Sequence, residues 1–355
     1  MDNKNEILRK TISNWYETNR RALPWRATAD PYKIWISEII LQQTRVNQGL
    51  NYYLRFVENF PNVHLLADAT EDEVLKYWQG LGYYSRGRNL HKAAKQIVNE
   101  FDGIFPKDYN DILSLPGVGH YTASAICSFA YNQSYAVLDG NVFRVLARLF
   151  AVSLPIDTHA GQKYFARLSQ ELLDVSDSST HNQAMMEFGA LQCTPQNPKC
   201  EMCRLQTICD AYKLNIVSIL PVKQGKTTVS DRYFNYFFIE NGKFTYLQKR
   251  TKKDIWQNLY EMPLIETDGD LELQELMQTE DFSRLFSDIR HVDISEVTFE
   301  IKHVLSHRRI FTKFYSVKIS EENQPVQALE KLKLSEIEKY AVSRLTEIFF
   351  EKRQA

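Results

Sequence analysis

Nowhere in the 355 residues is there an apolar run of the roughly 18 residues that a bilayer crossing needs, which argues against a membrane-spanning helix. The polar start, Met1 to Glu6, lacks the basic-then-apolar pattern of a secretory signal, so a soluble, cytoplasmic protein with no membrane partner is expected. Charge of either sign is not in excess: 43 Lys and Arg face 44 Asp and Glu. Residues 1–220 hold 22 of each sign, so neither half is a polycation, and nucleic-acid binding would have to rest on a local basic face. Internal repeats and low-complexity segments are missing as well. Cysteine is scarce, at five, yet four of the five fall within the 17 positions 193–209, which points away from a disulfide framework and towards a metal. With 44% apolar residues the chain builds real cores, and its length calls for two domains.

Up to about residue 215 the sequence reads as a succession of helices. Asp30-Pro31 is a helix start, a capping side chain followed by proline at the first helical position. Helical spacing then covers 32–46, 47–59, 70–79, 87–101, 109–114, 120–131, 139–149, 158–174 and 180–191. From Arg232 the texture changes to aromatic, β-prone runs, 233–239 and 244–248, joined across Asn241-Gly242 as a hairpin. Further strands are expected at 297–302 and 311–319, with helices at 271–286 and 335–352. The expected division is a helical domain over 1–215, a short polar linker over 216–229, and an α+β domain over 230–355.

Four features carry chemistry. Leu115-Pro116-Gly117-Val118-Gly119 lies between two helical patterns; its glycines permit positive φ, and the free N–H groups opening the next helix suit a phosphate. A simple tight turn is the alternative. The cysteines run Cys193-x6-Cys200-x2-Cys203-x5-Cys209, four thiolates able to close on one centre, either Zn²⁺ or an iron–sulfur cluster. Glu38 sits within Trp35-Ile36-Ser37-Glu38-Ile39-Ile40-Leu41, where loss of water should raise its pKa and fit it for general-acid work. Asp139, before Gly140-Asn141-Val142, is placed to cap the helix that follows.

These segments, together with Gln42-Gln43-Thr44 and Tyr121-Thr122-Ala123, stand in the order and spacing of the MutY-type adenine DNA glycosylases, and the whole chain resembles that family. The resemblance implies a helix-hairpin-helix fold with Gly117 and Gly119 at the DNA backbone, and a [4Fe–4S] cluster on Cys193, Cys200, Cys203 and Cys209. It implies that Glu38 protonates the adenine and that Asp139 stabilises the oxocarbenium ion, with Tyr121 and Asn141 hydrogen-bonded to Asp139. Arg26 and Gln183 match positions lining the adenine pocket. Gln42, Gln43 and Tyr83 match residues that fill the stack when a base is flipped out, with Arg86 and Arg88 at phosphates. The related endonuclease III carries a lysine where this chain has Tyr121, and no lysine occurs between Lys107 and Lys163. Without an amine there is no imine, so the resemblance implies a monofunctional glycosylase rather than a bifunctional lyase.

Residues 230–355 resemble, more loosely, the MutT-like (Nudix-fold) domain of the same family. The Nudix box is missing: Trp256–Pro263 lacks its glycine pair and glutamate cluster, which argues against hydrolysis of free nucleotides. His303-Val304-Leu305-Ser306-His307 matches the loop that senses 8-oxoguanine, with Leu305 where the family writes phenylalanine, leaving Ser306 and His307. The expected partner is therefore double-stranded DNA with adenine opposite 8-oxoguanine or guanine, bound by a monomer. A non-enzymatic iron–sulfur electron carrier, the rival from another class, would have no use for Glu38, Asp139 and the hairpin together.

Overall fold

Residues that the sequence reading left unassigned, Asp2–Asn19, form the first helix, α1. Its Leu8, Ile12, Trp15 and Tyr16 are buried on one stripe, and the polar residues between them hid it. The computed structural model describes residues 2–225, 228–287, 293–295, 299–320 and 329–354. The chain divides into two compact units, Met1–Asp68 with Asn89–Gly225, and Ala69–Arg88 with Lys226–Ala355.

The first unit is helical. After α1 come α2 (Pro31–Leu41), α3 (Val46–Asn59) and α4 (Val63–Asp68). The helix α5 (Glu71–Trp78) belongs to the second unit, and α6 (Ser85–Glu100) leads back. Then follow α7 (Tyr109–Ser114), α8 (His120–Tyr131), α9 (Gly140–Leu149), α10 (His159–Leu172), α11 (Ser178–Leu191) and the single turn α12 (Asp210–Lys213). As the sequence indicated, Asp30 caps α2 by accepting the Tyr32 N–H, with Pro31 next. Helix α2 buries nearly all of its circumference, including Trp35, Ile36, Ile39 and Ile40, so it is an interior helix rather than an amphipathic one. A separate core joins α1 to α9, α10 and α11 through Ile12, Trp15, Leu146, Phe165, Met185 and Phe188.

The second unit is rich in strands. A five-stranded sheet runs β4 (Leu264–Thr267), β1 (Ser230–Glu240), β7 (Arg308–Lys318), β5 (Asp293–Ile294), with β6 (Phe299–Val304) also on β7. A smaller sheet runs β3 (Tyr260–Glu261), β2 (Phe244–Lys249), β8 (Glu330–Lys333). The central pair β1 and β7 is parallel, in register from Ser230 opposite Arg308 to Glu240 opposite Lys318. Alternation along β1 sends Phe237 and Ile239 against Leu276, Phe282 and Phe286 on one face, from α13 (Leu273–Leu276) and α14 (Glu280–Leu285) and just beyond. Phe238 and, on β7, Phe314 instead meet Phe349 of α15 (Arg344–Gln354) on the other.

Two expectations need correcting here. The Asn241-Gly242 turn exists, with φ +59° at Gly242, but β1 and β2 diverge from it into different sheets rather than forming a ladder. The helices expected over 271–286 and 335–352 are each broken in two, at 277–279 and at 340–343. Of the strand expected over 297–302, the described part is Phe299–Val304; residues 297 and 298 lie outside the described residues. The break between Gly225 and Lys226 falls within the linker expected over 216–229, but residues 69–88 spend their polar side chains on the strand-rich unit and group with it. Lys249 pairs with Asp72 at 2.6 Å, Asn258 with Glu71, and Gln79 with Glu347 at 2.9 Å.

Candidate active site

A cavity of about 1010 Å³ lies in the helical unit, and its walls include Arg26, Glu38, Gln43, Tyr121, Asp139, Asn141 and Gln183. Seven residues singled out across 158 positions of sequence thus meet in one space. Helix α2 supplies Glu38, the N-termini of α8 and α9 supply Tyr121 and Asp139, and α11 supplies Gln183.

Glu38 is only 6% exposed. Burial pushes its carboxyl up to about 7, helped by the nearby Asp139 and opposed by a hydrogen bond and by Arg26. That hydrogen bond comes from Tyr121, whose hydroxyl donates to Oε2 at 2.9 Å. The family resemblance implies a bond from Tyr121 to Asp139; the hydroxyl instead serves Glu38. A phenol held far above its ordinary range by burial and by Glu38 stays protonated and keeps donating.

Asp139 does cap α9. Its Oδ1 accepts the N–H groups of Asn141 and Val142, at 2.9 and 2.7 Å, while Oδ2 accepts Asn141 Nδ2 at 2.7 Å. Burial raises the carboxyl, and these three donors, with Arg144 nearby, oppose the rise. Asn141 thus orients Asp139 as expected, and is itself held by Arg144, which donates to its Oδ1 at 2.9 Å and to the Cys193 carbonyl at 2.7 Å.

Arg26 and Gln183 reach the cavity already partnered. Gln183 Oε1 accepts the Tyr16 hydroxyl at 2.8 Å. Arg26 donates both Nη atoms to Glu187, at 2.9 and 2.7 Å, and Glu187 also takes the backbone N–H and the guanidinium of Arg21. Although burial alone would raise it, these donors hold the Glu187 carboxyl down at about 2. Glu187 was missed, for in Met185-Met186-Glu187-Phe188 nothing announces that two arginines 161 and 166 residues earlier will close on it. In the hairpin, only Gly117 uses positive φ, +78°, and a Cβ there would meet Asn89 at 2.8 Å. Gly119 is extended, caps α8 and has open space where its side chain would be.

A family model described as "HhH-GPD superfamily base excision DNA repair protein" matches residues 36–172, and one for the NUDIX domain matches 235–352. The adenine DNA glycosylase of Buchnera aphidicola subsp. Baizongia pistaciae is 36% identical over 307 residues, 86% of this chain and 84% of that protein. The human adenine DNA glycosylase is 42% identical over 213 residues, 57% of this chain and 39% of that protein. Among solved structures, a thermostable thymine-DNA glycosylase is 30% identical with a TM-score of 0.56, covering 60% of this chain and 98% of that one. The chain belongs to the adenine DNA glycosylases. It is a base-excision repair enzyme that hydrolyses the N-glycosidic bond of adenine in DNA.

For an adenine DNA glycosylase, the cysteine loop is the second element to place. Cys193, Cys200, Cys203 and Cys209 are free, half-buried thiols around one small cavity of about 30 Å³. Among the described residues no three metal-binding side chains are drawn together as a metal group. The donor set nonetheless fits a thiophilic centre: burial, then the neighbouring thiols, push Cys203 up to about 11, the mutual penalty that a bound cation would relieve. Buried Arg148 fastens the loop, donating to the carbonyls of Thr194, Pro195, Val217 and Leu220. The fifth cysteine, Cys127 in Ala125-Ile126-Cys127-Ser128-Phe129, is buried apart from these four. No helix among the described residues is long and apolar enough to cross a membrane.

The remaining residues of the sequence reading fall in the strand-rich unit. Leu305–His307 is the tip of the β6–β7 hairpin, closed by Leu305 N–H to Arg308 O at 2.8 Å, with Ser306 and His307 exposed. Tyr83, in the left-handed region at φ +46°, puts its hydroxyl 2.6 Å from that of Ser306. Arg86 and Arg88, expected at phosphates, both have partners within the chain. Arg86 lies over the rings of Trp78 and Tyr83 and donates to Gly82 O, while Arg88 donates to Gln257 O at 2.7 Å.

Proposed function

We propose that this enzyme removes adenine mispaired with 8-oxoguanine or guanine, as a monofunctional glycosylase in which Glu38 is the general acid and Asp139 the electrostatic partner of the cationic sugar. The observation that carries the reading is the buried Glu38 carboxyl, held at about 7, on the same cavity as Asp139. A carboxyl half-protonated at neutral pH gives a proton to N7 of a flipped adenine, which makes the base a better leaving group. As the C1′–N9 bond breaks, positive charge grows on the sugar, and Asp139, its geometry fixed by three donors, stabilises that charge. Glu38, now ionised, draws a proton from the attacking water. Tyr121 holds Glu38 in place and brings no amine for an imine. The cavity lining supports the substrate class: Arg26 and Gln183 are held there by their own partners, poised for a purine rather than free to collapse.

Cys193, Cys200, Cys203 and Cys209 would hold a [4Fe–4S] cluster, which supplies a rigid thiolate anchor for the loop when bound. Ser306 and His307 are assigned to the base opposite adenine. Oxidation of guanine turns N7 from acceptor to donor, a difference that a hydroxyl registers. The test is adenine release from duplexes carrying adenine opposite 8-oxoguanine, guanine or thymine, with and without alkali, together with borohydride trapping. Release from the first two, strand breaks only after alkali, and little trapping are expected. Strand cleavage without alkali or strong trapping would overturn the monofunctional reading.

A further inference from the structure

Residues 69–88 are interrupted helical sequence that continues the first unit along the chain, yet they cluster with the second. The reason is a set of polar anchors on either side of one exposed tyrosine. On the N-terminal side Gln79 is gripped by the segment that enters α15. Its Nε2 donates to Glu347 at 2.9 Å, its Oε1 accepts the Val342 N–H at 3.2 Å, and Lys76 donates to Tyr340 O at 3.2 Å. On the C-terminal side Arg88 donates to the carbonyl of Gln257 at 2.7 Å and to its side chain at 3.4 Å. Between these anchors the loop has no freedom to spare. Gly80 and Gly82 sit at φ +92° and +72°, Trp78 Nε1 donates to Gly82 O at 3.1 Å, and a Cβ on Gly87 would touch the Trp78 ring at 3.0 Å. What the loop presents is Tyr83, 46% exposed and bonded to Ser306 at the tip of the β6–β7 hairpin.

We propose that Gln79 and Arg88 are positioning residues for Tyr83, so that the strand-rich unit holds both halves of a Tyr83–Ser306 reading edge for the base opposite adenine. The inference rests on the assignment of Ser306, which the Tyr83 hydroxyl contacts, to that base. Its physical content is that two side chains, four residues before and five after Tyr83, fix a left-handed loop whose own backbone conformation is unfavourable for tyrosine. Without them the tyrosine would sample other positions, and the hydroxyl pair would meet the base less often.

The experiment is a double-mutant comparison in the full chain. Single-turnover adenine release is measured on adenine opposite 8-oxoguanine and opposite guanine, for wild type, Tyr83→Ala, Gln79→Ala with Arg88→Ala, and the triple combination. The anchor variant should lower the ratio of the two rates by about tenfold, the effect of losing one or two hydrogen bonds of positioning. In the Tyr83→Ala background the same substitutions should lower it no further, because they act through the tyrosine. A general structural role would lower it equally in both backgrounds and would overturn the proposal, as would a wild-type ratio in the anchor variant. Should the alanine pair fail to melt cooperatively, Gln79→Asn and Arg88→Lys, which keep polarity and shorten or unfork the reach, take its place under the same criteria. An unchanged ratio in Tyr83→Ala itself would remove the assignment underneath, and the proposal with it.

Discussion

Two walls of one cavity treat a buried glutamate in opposite ways. On α2, Glu38 is buried with one hydrogen-bond donor among the described residues, the Tyr121 hydroxyl, and its carboxyl is driven up to about 7. On α11, Glu187 is fully buried, yet two guanidinium groups and a backbone N–H converge on it and hold it at about 2. Desolvation is the largest effect in both places, since it always disfavours the charged form; the count of charged donors decides which way the balance falls. The lesson is one of role. A carboxyl that must exchange a proton is left nearly alone, whereas one that must hold two arginines against a pocket is saturated.

The comparison can be broken at several points. Asp139→Asn keeps an acceptor for the α9 cap while deleting the charge, so adenine release should fall by about a thousandfold or more with DNA binding retained. Near-normal turnover would remove Asp139 from the mechanism. Glu38→Gln cannot deliver a proton and should lose about a hundredfold or more, at pH 6 as well as pH 8. Glu187→Gln should act on stability instead, costing about 3 kcal/mol in denaturant unfolding because Arg21 and Arg26 lose their counter-charge. A loss of activity with unchanged stability would mean that Glu187 matters for the pocket, through Arg26, rather than for the fold. The smallest effect has the opposite sign. The folded Glu38 carboxyl keeps its proton to about 7, whereas the unfolded one loses it near 4.5. Stability from this group is therefore full below 4.5 and is lost as pH rises to 7. Glu38→Gln should accordingly be more stable than wild type at pH 8, by about 2 kcal/mol, with the gain shrinking as pH falls towards 4.5.

Much of the site was legible because its chemistry is local in sequence. Glu38 announced itself by being the one charge in the apolar run 35–41, Asp139 by standing before a helix, and the cysteines by their spacing. What escaped was whatever depends on distant partners. Glu187 looks like any helix glutamate until Arg21 and Arg26 close on it, and the direction of the Tyr121 hydroxyl is set by how α8 packs on α2, which no local pattern encodes. The same holds for the fold. The capped helix α2 was readable from Asp30-Pro31, but α1 was missed beneath its polar residues, and the Asn241-Gly242 turn gave no hint that its strands part into separate sheets. The transfer of residues 69–88 to the strand-rich unit rests on single side chains, Asp72, Gln79 and Arg88, whose partners lie 169 to 268 residues away. It also means that deleting residues 230–355 would strip α5 of its anchors, so Ser306→Ala with His307→Ala is the cleaner probe of base sensing.

The central claim is that Glu38 stays about half-protonated at neutral pH because it is buried with one weak donor. The most direct test is the single-turnover rate of adenine release from pH 5 to 9, for wild type and Tyr121→Phe. The wild-type rate should fall about tenfold per pH unit above about 7, and removing the Tyr121 donor, which lowers the Glu38 pKa, should move that limb to higher pH. A rate that stays flat to pH 9, or a limb at the ordinary carboxylate value near 4.5, would contradict it.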